Sequence, residues 1–318
     1  MPAWRREGVA EVDARLTPEH ARVVHAGLDH RMAQFAGLGT AFYDMAHHEH
    51  PLPPERRQAV ARGVVMLLGT LELCDNVIDE PGSAATSDDR AQFMDRTRGA
   101  LLTKTTPRIV PSLPLPDVQL ATYALARGTN DFLDLTRNYW TGAGLNSAVW
   151  RMELEILLQR LRHPILQQLE EHNPGRLLDL AQQIGSTCSV MSVLPGEILD
   201  NEHHSDVRKI ANSFGKFIGI LDHGSEVLDD LRDGTNTYAT ALIATHGLNA
   251  KTLQRIRYLR RSAGEAAFNE GLHFTKSREQ AQIYRAIGRI LRVGYALKRR
   301  KLNTLLATGR LSEVAPKS

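Results

Sequence analysis

The 318-residue chain is poor in several things, and each shortage closes off a class of protein. It has two cysteines, Cys74 and Cys188, both in predicted helices and without metal-ligand spacing, so a disulfide framework and a cysteine-based zinc site are excluded. No run approaches the ~20 apolar residues that span a bilayer. The opening stretch MPAWRREGVAEVDARL lacks the apolar core of a secretory signal, and the expectation is a cytoplasmic protein with no transmembrane segment. A formal net charge of +3 is small for this length, so no nucleic-acid partner is expected. No segment alternates in the manner of a strand, and there is no short internal repeat or low-complexity tract. The 42% hydrophobic content can bury one large core or two modest ones, and the chain reads as an all-α, single-domain helical bundle. Residues 1–16 are expected to be a flexible lead-in, 17–310 the helical domain and 311–318 a tail.

Caps and prolines divide the helices. Thr17-Pro18-Glu19 supplies an N-cap and a proline at the first helical position, opening a helix predicted to run to about His47. Pro54 opens another, in which Val60, Val64, Leu67, Leu68 and Leu71 keep the helical period until Pro81-Gly82 stops it. Ser87-Asp88-Asp89 reads as the cap of the next helix, and residues 107–116 as a proline-rich connector. Helices are predicted over 117–138, 146–162 and 176–193, where Pro195-Gly196 follows as a break. Ser205-Asp206 opens a long helix ending near Gly234, followed by helices over 239–246, 250–269 and 277–307. The last carries Lys298, Arg299, Arg300 and Lys301, cations that suit a solvated helix end.

Two acidic stretches stand out. On a continuous helix Asp222, Glu226, Asp229, Asp230 and Asp233 fall within an arc of roughly 100°. Such a stripe costs ~0.2–0.5 kcal/mol per like-charged pair and calls for an external cation. The second stretch is residues 71–80, where Asp75 and Asp79 share a face with Glu72 and Glu80 at its margins. Carboxylates at a helix C-terminus oppose the macrodipole by ~0.3–1 kcal/mol each. A solvated acidic face accounts for one such run, whereas two in one chain favour a bound hard cation such as Mg²⁺. The histidine run His47-His48-Glu49-His50 stops against Pro51, Pro53 and Pro54 and has no cysteine or distant histidine pair at a recognisable spacing, so zinc is not expected there.

On these motifs the chain resembles the class I isoprenoid synthase superfamily, which includes trans-prenyltransferases, squalene and phytoene synthases and terpene cyclases. Asp75-Asn76-Val77-Ile78-Asp79-Glu80 is similar to the DxxxD form of squalene and phytoene synthases and to a variant of DDxxD. The phrase GKFIGILDHGSEVLDD resembles the prenyltransferase pattern of a glycine, an apolar stretch and DDxxD, with Asp222 and Glu226 retained and His223 in place of the second aspartate. Asp222, Glu226 and Asp230 also match the spacing of the metal triad of terpene cyclases, and Asp229-Asp230-Leu231-Arg232-Asp233 is a literal DDxxD one turn later. Other elements are missing. There is no glycine-lysine-arginine motif near the N-terminus, no arginine pair in residues 80–90, and Thr235 stands where prenyltransferases often have the lysine of GKxT.

The resemblance implies a helical bundle around a central cavity and a Mg²⁺-dependent enzyme holding three ions, with Mn²⁺ as a substitute, against a prenyl diphosphate. Asp75, Asp79, Asp222 and Glu226 would be the catalytic carboxylates, with Glu80, Asp229, Asp230 and Asp233 completing the metal-binding set. Arg176, 46 residues before Asp222 and so placed like the diphosphate-sensing arginine of terpene cyclases, would bind the anion with Arg232 and Lys216, and Arg257-Tyr258 is a weaker candidate. Phe42, Tyr43, Tyr139, Trp140 and Trp150 could face a carbocation, although core packing is the better explanation of each. The leading reading is a class I terpene synthase. A trans-prenyltransferase of the same fold, head-to-head or using another acceptor, is the first alternative, and a non-catalytic partner subunit of a prenyl synthase the second. A homodimer is compatible with all three.

Overall fold

The computed structural model describes residues 3–28, 31–50, 52–79, 86–103, 113, 115–139 and 147–298. The elements run α1 (Ala3–Asp13), α2 (Pro18–Leu28), α3 (Arg31–Ala46), α4 (Pro54–Ile78), α5 (Ser87–Thr103), α6 (Pro116–Tyr139), α7 (Ser147–Glu170), α8 (Pro174–Met191), α9 (Leu194–Asp200), α10 (Ser205–His223), α11 (Val227–Asp233), α12 (Tyr238–His246), α13 (Ala250–His273) and α14 (Arg278–Lys298). No strand occurs among the described residues. They form two compact units, one of residues 1–162 with 190–208 and the other of residues 163–189 with 209–318.

The first unit is built on α4. Val60, Val64, Val65, Leu67, Leu68, Leu73, Val77 and Ile78 are all buried, so the helix is apolar on every side and needs cover all round. Helices α1, α3 and α6 supply most of it. At Gly63 a Cβ would press into the Phe132 ring and Pro195, so that glycine lets α6 and α9 approach. Each large apolar side chain buried here contributes about 1.5–3 kcal/mol. Pro53 precedes the helix and Pro54 occupies its first turn, where the missing N–H leaves no hydrogen bond unmade. The helix ends as the Asp79 N–H donates to the Asp75 carbonyl at 2.9 Å.

Several boundaries differ from those read in the sequence. Residues 3–13, expected to be loose, form α1, because Gly8 and Val12 bury against the unit and Gly8 fits closely over Gln58 and Ala61 of α4. The long helix expected over 17–47 is two, α2 and α3; Thr17 caps the first through a 3.2 Å bond from the His20 N–H. The cap of α5 is Thr86 and not Ser87. Thr86 Oγ1 accepts from the Asp89 N–H while Asp89 Oδ2 accepts from the Thr86 N–H, a reciprocal pair that satisfies two otherwise unpaired donors. Helix α7 runs on through Pro164 to Glu170.

In the second unit Leu177, Leu180, Val227, Tyr238, Leu242, Leu253 and Ile256 form one apolar cluster. Phe214, Phe217, Phe268 and Tyr284 form an aromatic group with centroids 4.7–5.9 Å apart. Helices α8 and α10 touch backbone to backbone: a Cβ at Gly185 would strike the Gly215 carbonyl oxygen, and one at Gly219 the Ala181 carbonyl oxygen. The small-residue seam fixes the line along which α10 delivers Asp222.

The long acidic helix expected to continue to Gly234 is interrupted. Helix α10 stops at His223 and α11 starts at Val227. The Tyr238 hydroxyl donates to the Ile220 carbonyl at 3.0 Å, taking the acceptor that a continuous α-helix offers to the Gly224 N–H. The Ser225 N–H turns to the Asp222 carbonyl at 3.0 Å, a tighter i to i−3 bond. A Cβ at position 224 would collide with the same hydroxyl. Gly234 closes α11 with φ +74°, the left-handed conformation that glycine adopts without cost, as the sequence suggested.

Candidate active site

At the end of α4, Asp75 and Asp79 stand on successive turns, both half-buried. Glu72, on the margin of that face, is ion-paired to Arg31, and Glu80 lies outside the described residues. Burial pushes the Asp79 carboxyl up to about 6, with the charge of Arg90 acting against it. Arg90 is the last residue of the interval 80–90 that lacks an arginine pair, and the fold of α5 returns it to the acidic end. The sequence does not single it out, since one arginine at a helix start looks like an ordinary surface residue. Cys74 beside them is inert: burial, against a hydrogen bond with Thr97, raises its thiol to about 12.

The second acidic stretch is spread over a helix end, a turn and a short helix, so its five carboxylates do not share one continuous helical face. Asp222 accepts a 3.0 Å hydrogen bond from the Tyr295 hydroxyl of α14. Glu226 is the N-cap residue of α11 and makes no side-chain capping bond. Asp229 and Asp233 are each ion-paired to Arg232, at 3.2 and 2.8 Å, on an exposed surface. Asp230 Oδ2 accepts from the Thr237 hydroxyl at 3.3 Å. Burial lowers the pKa of His223, against the opposing charge of Asp222. The turn between the helices rests on Arg260, 9% exposed, whose Nη1 donates to the Ser225 hydroxyl at 3.2 Å. That arginine was not a sequence candidate, because nothing in α13 marks one of its several arginines as buried.

The expected anion-binding cations have other partners or stay apart. Lys216 is bonded to Glu270 at 3.0 Å, Arg232 serves the two aspartates of α11, and Arg176 is exposed in the first turn of α8, where its N–H is capped by Asn173. Arg257 and Tyr258 lie on the exposed side of α13. Among the aromatic candidates Phe42 and Trp150 are core residues, while Trp140 and the side chain of Tyr139 lie outside the described residues.

A second polar cluster of the first unit was not read from the sequence. It centres on Asp200, the last residue of α9. Its Oδ2 faces His47 Nε2 at 2.7 Å and His204 Nε2 at 3.0 Å, while its Oδ1 accepts from the Tyr43 hydroxyl at 2.8 Å and Arg56 Nη1 at 3.3 Å. Burial alone would raise the Asp200 carboxyl, but the bonds from His204, His47 and Tyr43 outweigh it and hold the group well below the usual carboxylate range. For His204, burial opposes the imidazolium; the hydrogen bond and charge of Asp200, with Glu197 and Glu202, prevail and raise its pKa. The backbone there is fixed by Glu197, fully buried, which accepts from the His204 N–H at 2.9 Å and from Arg208 Nε at 2.7 Å. Arg208 also binds Glu153 at 3.0 Å. The distant histidine that the run 47–50 lacked in sequence is His204, separated from His47 by more than 150 residues.

No protein-family profile and no curated protein sequence matches the chain. Solved structures do. A geranylgeranyl pyrophosphate synthetase from the archaeon Geoglobus acetivorans superposes with a TM-score of 0.60 at 11% identity, over 91% of this chain and 97% of the other. A geranyltranstransferase from Methanosarcina mazei gives 0.56 at 10% identity, over 89% and 93%. A linalool/nerolidol synthase from Streptomyces clavuligerus gives 0.52 at 13% identity, over 93% and 97%. At these identities the likeness is one of fold. The chain has the all-α isoprenoid synthase fold, and its structural neighbours include both prenyltransferases and terpene synthases.

Proposed function

We propose that the protein is a class I terpene synthase that ionises a linear allylic prenyl diphosphate and releases diphosphate, giving a terpene that is cyclic in the leading case. The observation that carries the reading is the acidic end of α4. Asp75 and Asp79 present carboxylate oxygens on successive turns, and Asp79 is a half-buried carboxyl raised to about 6, an incompletely compensated charge of the kind a hard divalent ion relieves. The donor set fits Mg²⁺, with Mn²⁺ as a substitute, and three ions is the number the resemblance implies. When bound, the metal takes up the negative charge that develops on the leaving diphosphate. The chain's own share is to hold Asp75 and Asp79 at the end of α4 and to keep the charge of Arg90 near Asp79 as a cation for the anion; Asp222 and Glu226, at the α10–α11 turn of the other unit, are proposed as further metal ligands. The aspartates act as ligands and move no proton.

A trans-prenyltransferase is favoured by one observation, the higher TM-scores of the prenyltransferase neighbours quoted above. Against it stands the commitment of Lys216 and Arg232 to carboxylates, which leaves neither for a second diphosphate. The non-catalytic subunit is the third reading. In each the protein is cytoplasmic, makes no use of nucleic acid, and is compatible with a homodimer. The deciding experiment incubates the protein with Mg²⁺ and geranyl, farnesyl, geranylgeranyl or geranylfarnesyl diphosphate, with and without isopentenyl diphosphate. Hydrocarbon or alcohol products from a single diphosphate support the terpene synthase; a longer diphosphate formed only with isopentenyl diphosphate supports the transferase. Inertness in every mixture overturns both enzyme readings.

A further inference from the structure

We propose that His47, Asp200 and His204 form a transition-metal site, selective for Zn²⁺ over Mg²⁺, separate from the acidic motifs. The ligands come from the end of α3, the end of α9 and the segment leading into α10. One atom of each lies within 4.8 Å of the others. In a tetrahedral site with bonds of ~2.0–2.1 Å, neighbouring ligand atoms are ~3.3 Å apart. The two observed nitrogen–oxygen separations, 2.7 and 3.0 Å, therefore need to open by only a few tenths of an ångström. Both imidazoles aim Nε2 at the same oxygen, with their rings nearly perpendicular at 82° and centroids 5.5 Å apart. That convergence on one point is what a shared ion requires.

The carboxylate is divided between two tasks. Tyr43 and Arg56 occupy Oδ1 and fix the plane of the group, leaving Oδ2 to face the histidines. Partners of this kind orient a ligand and raise its affinity for a metal. The Tyr43 hydroxyl donates to Oδ1 at 2.8 Å, on the oxygen that the histidines do not share. The site thus supplies three protein ligands, and a fourth position is left for water or a small anion. His47 is 25% exposed, which gives an ion a way in. Two imidazoles and one carboxylate suit Zn²⁺, Co²⁺, Ni²⁺ or Cu²⁺, whereas Mg²⁺ demands an oxygen octahedron. Arg56 offsets the carboxylate charge and further disfavours a hard ion, which depends on charge more than on imidazole donors. On binding, each imidazole would coordinate as the neutral ring through Nε2 with its one proton on Nδ1, and the ion would replace the two histidine–carboxylate hydrogen bonds, tying the end of α3 to the α9–α10 segment.

The site is also remote from the acidic end of α4. Arg56 and Asp75 are 19 residues apart on one helix, ~28 Å along its axis at 1.5 Å per residue. The test is Zn²⁺ binding to chelator-stripped full-length protein, measured by competition with a chromophoric chelator, together with the visible spectrum of the Co²⁺ form. One Zn²⁺ per chain is expected, with affinity weakened about 100-fold or more by His47→Ala or His204→Ala. Asp75→Asn with Asp79→Asn should leave Zn²⁺ affinity unchanged. If the histidine variants fold poorly, the Co²⁺ spectrum of the wild type decides: intense tetrahedral bands that Zn²⁺ displaces support the site, and a weak octahedral spectrum overturns it. The proposal also fails if no ion binds, or if binding follows the aspartates of α4 and not the histidines. All these readouts are independent of catalytic turnover, so the site stands or falls apart from the proposed activity.

Discussion

The two ends of α4 carry carboxylates in opposite electrostatic conditions. At the start of the helix, Arg56 reaches Asp200, a carboxylate with four donors, of which His204, His47 and Tyr43 hold its pKa down. At the far end Asp79 is also withdrawn from water, yet the opposing cation is too little, and its pKa rises to about 6. Burial penalises both charges; the number of donors decides the sign of the result. A carboxylate with its full set of donors contributes to the fold, and one short of donors is stabilised by an added cation. The same contrast separates the two proposed donor sets, oxygen alone at one end and oxygen with imidazole at the other.

The largest expected effect lies at the under-compensated end. Asp75→Asn or Asp79→Asn should lower turnover by about 100-fold or more, since each removes a ligand whose ion carries several kcal/mol of charge stabilisation in the reaction. Steady-state rates across a Mg²⁺ titration give the measurement, and an unchanged kcat in both variants would remove this motif from the site.

Stability should respond with opposite signs at the two ends. Asp200→Asn leaves Arg56 and the two histidines without their carboxylate and should cost on the order of 3 kcal/mol. The folded pKa of Asp200 lies below its ordinary value, so its contribution is present above the ordinary carboxylate pKa and lost as pH falls through the folded value. That of His204 is raised, so its share is complete below the ordinary 6.5 and lost as pH rises through the folded pKa. The cost of Asp200→Asn should therefore be greatest near pH 5–6 and smaller at pH 9. Asp79→Asn works the other way. The folded pKa of about 6 exceeds the ordinary 3.8, so any stability linked to this proton is present at pH 4 and lost as pH rises through 6. Replacing the charge should stabilise the protein by on the order of 2 kcal/mol at pH 8 and by little at pH 4.5. Urea unfolding in the presence of a chelator measures both. The same sign for the two substitutions would break the contrast.

How far these features could be read in advance depends on what fixes them. The helices were legible because α4 and its neighbours repeat apolar positions at the helical period, and the Asp75–Asp79 pair because four residues on one unbroken helix determine a shared face. The interruption after His223 was not, since it is set by Tyr238 and Arg260, which meet that turn only in the folded chain. The Asp200 cluster was hidden for the same reason: His47 and Asp200 are 153 residues apart. A partial signal existed in Asp200 and His204, four residues apart, but a single acid–histidine pair at that spacing is common on solvated surfaces. The helix over residues 3–13 is hard to see in the sequence because α1 is weakly apolar; it rests on the fit of Gly8 and Val12 against the unit.

The same donor argument, applied to the second acidic stretch, gives the smallest and most discriminating effect. Asp229 and Asp233 share Arg232, so an ion bound there must first displace a guanidinium. Asp222 accepts a neutral hydroxyl from Tyr295, which an ion can share or displace at lower cost. The α10–α11 turn also interrupts the helix between Asp222 and the α11 aspartates, so the two registers are not successive turns of one helix. On the proposed function the register Asp222, Glu226 and Asp230 remains the favoured one, while Asp229 and Asp233 form exposed ion pairs with Arg232. Asp230 belongs to both registers and cannot discriminate. Asp222→Ala should lower turnover or raise the Mg²⁺ requirement by about tenfold or more, the loss of one charged ligand from a shared set. Asp233→Ala, which breaks an exposed ion pair worth ~0.2–1 kcal/mol, should stay within a few fold of wild type. Turnover against Mg²⁺ concentration separates them, and the reverse ranking would transfer the second metal group to α11 while leaving Asp75 and Asp79 in place.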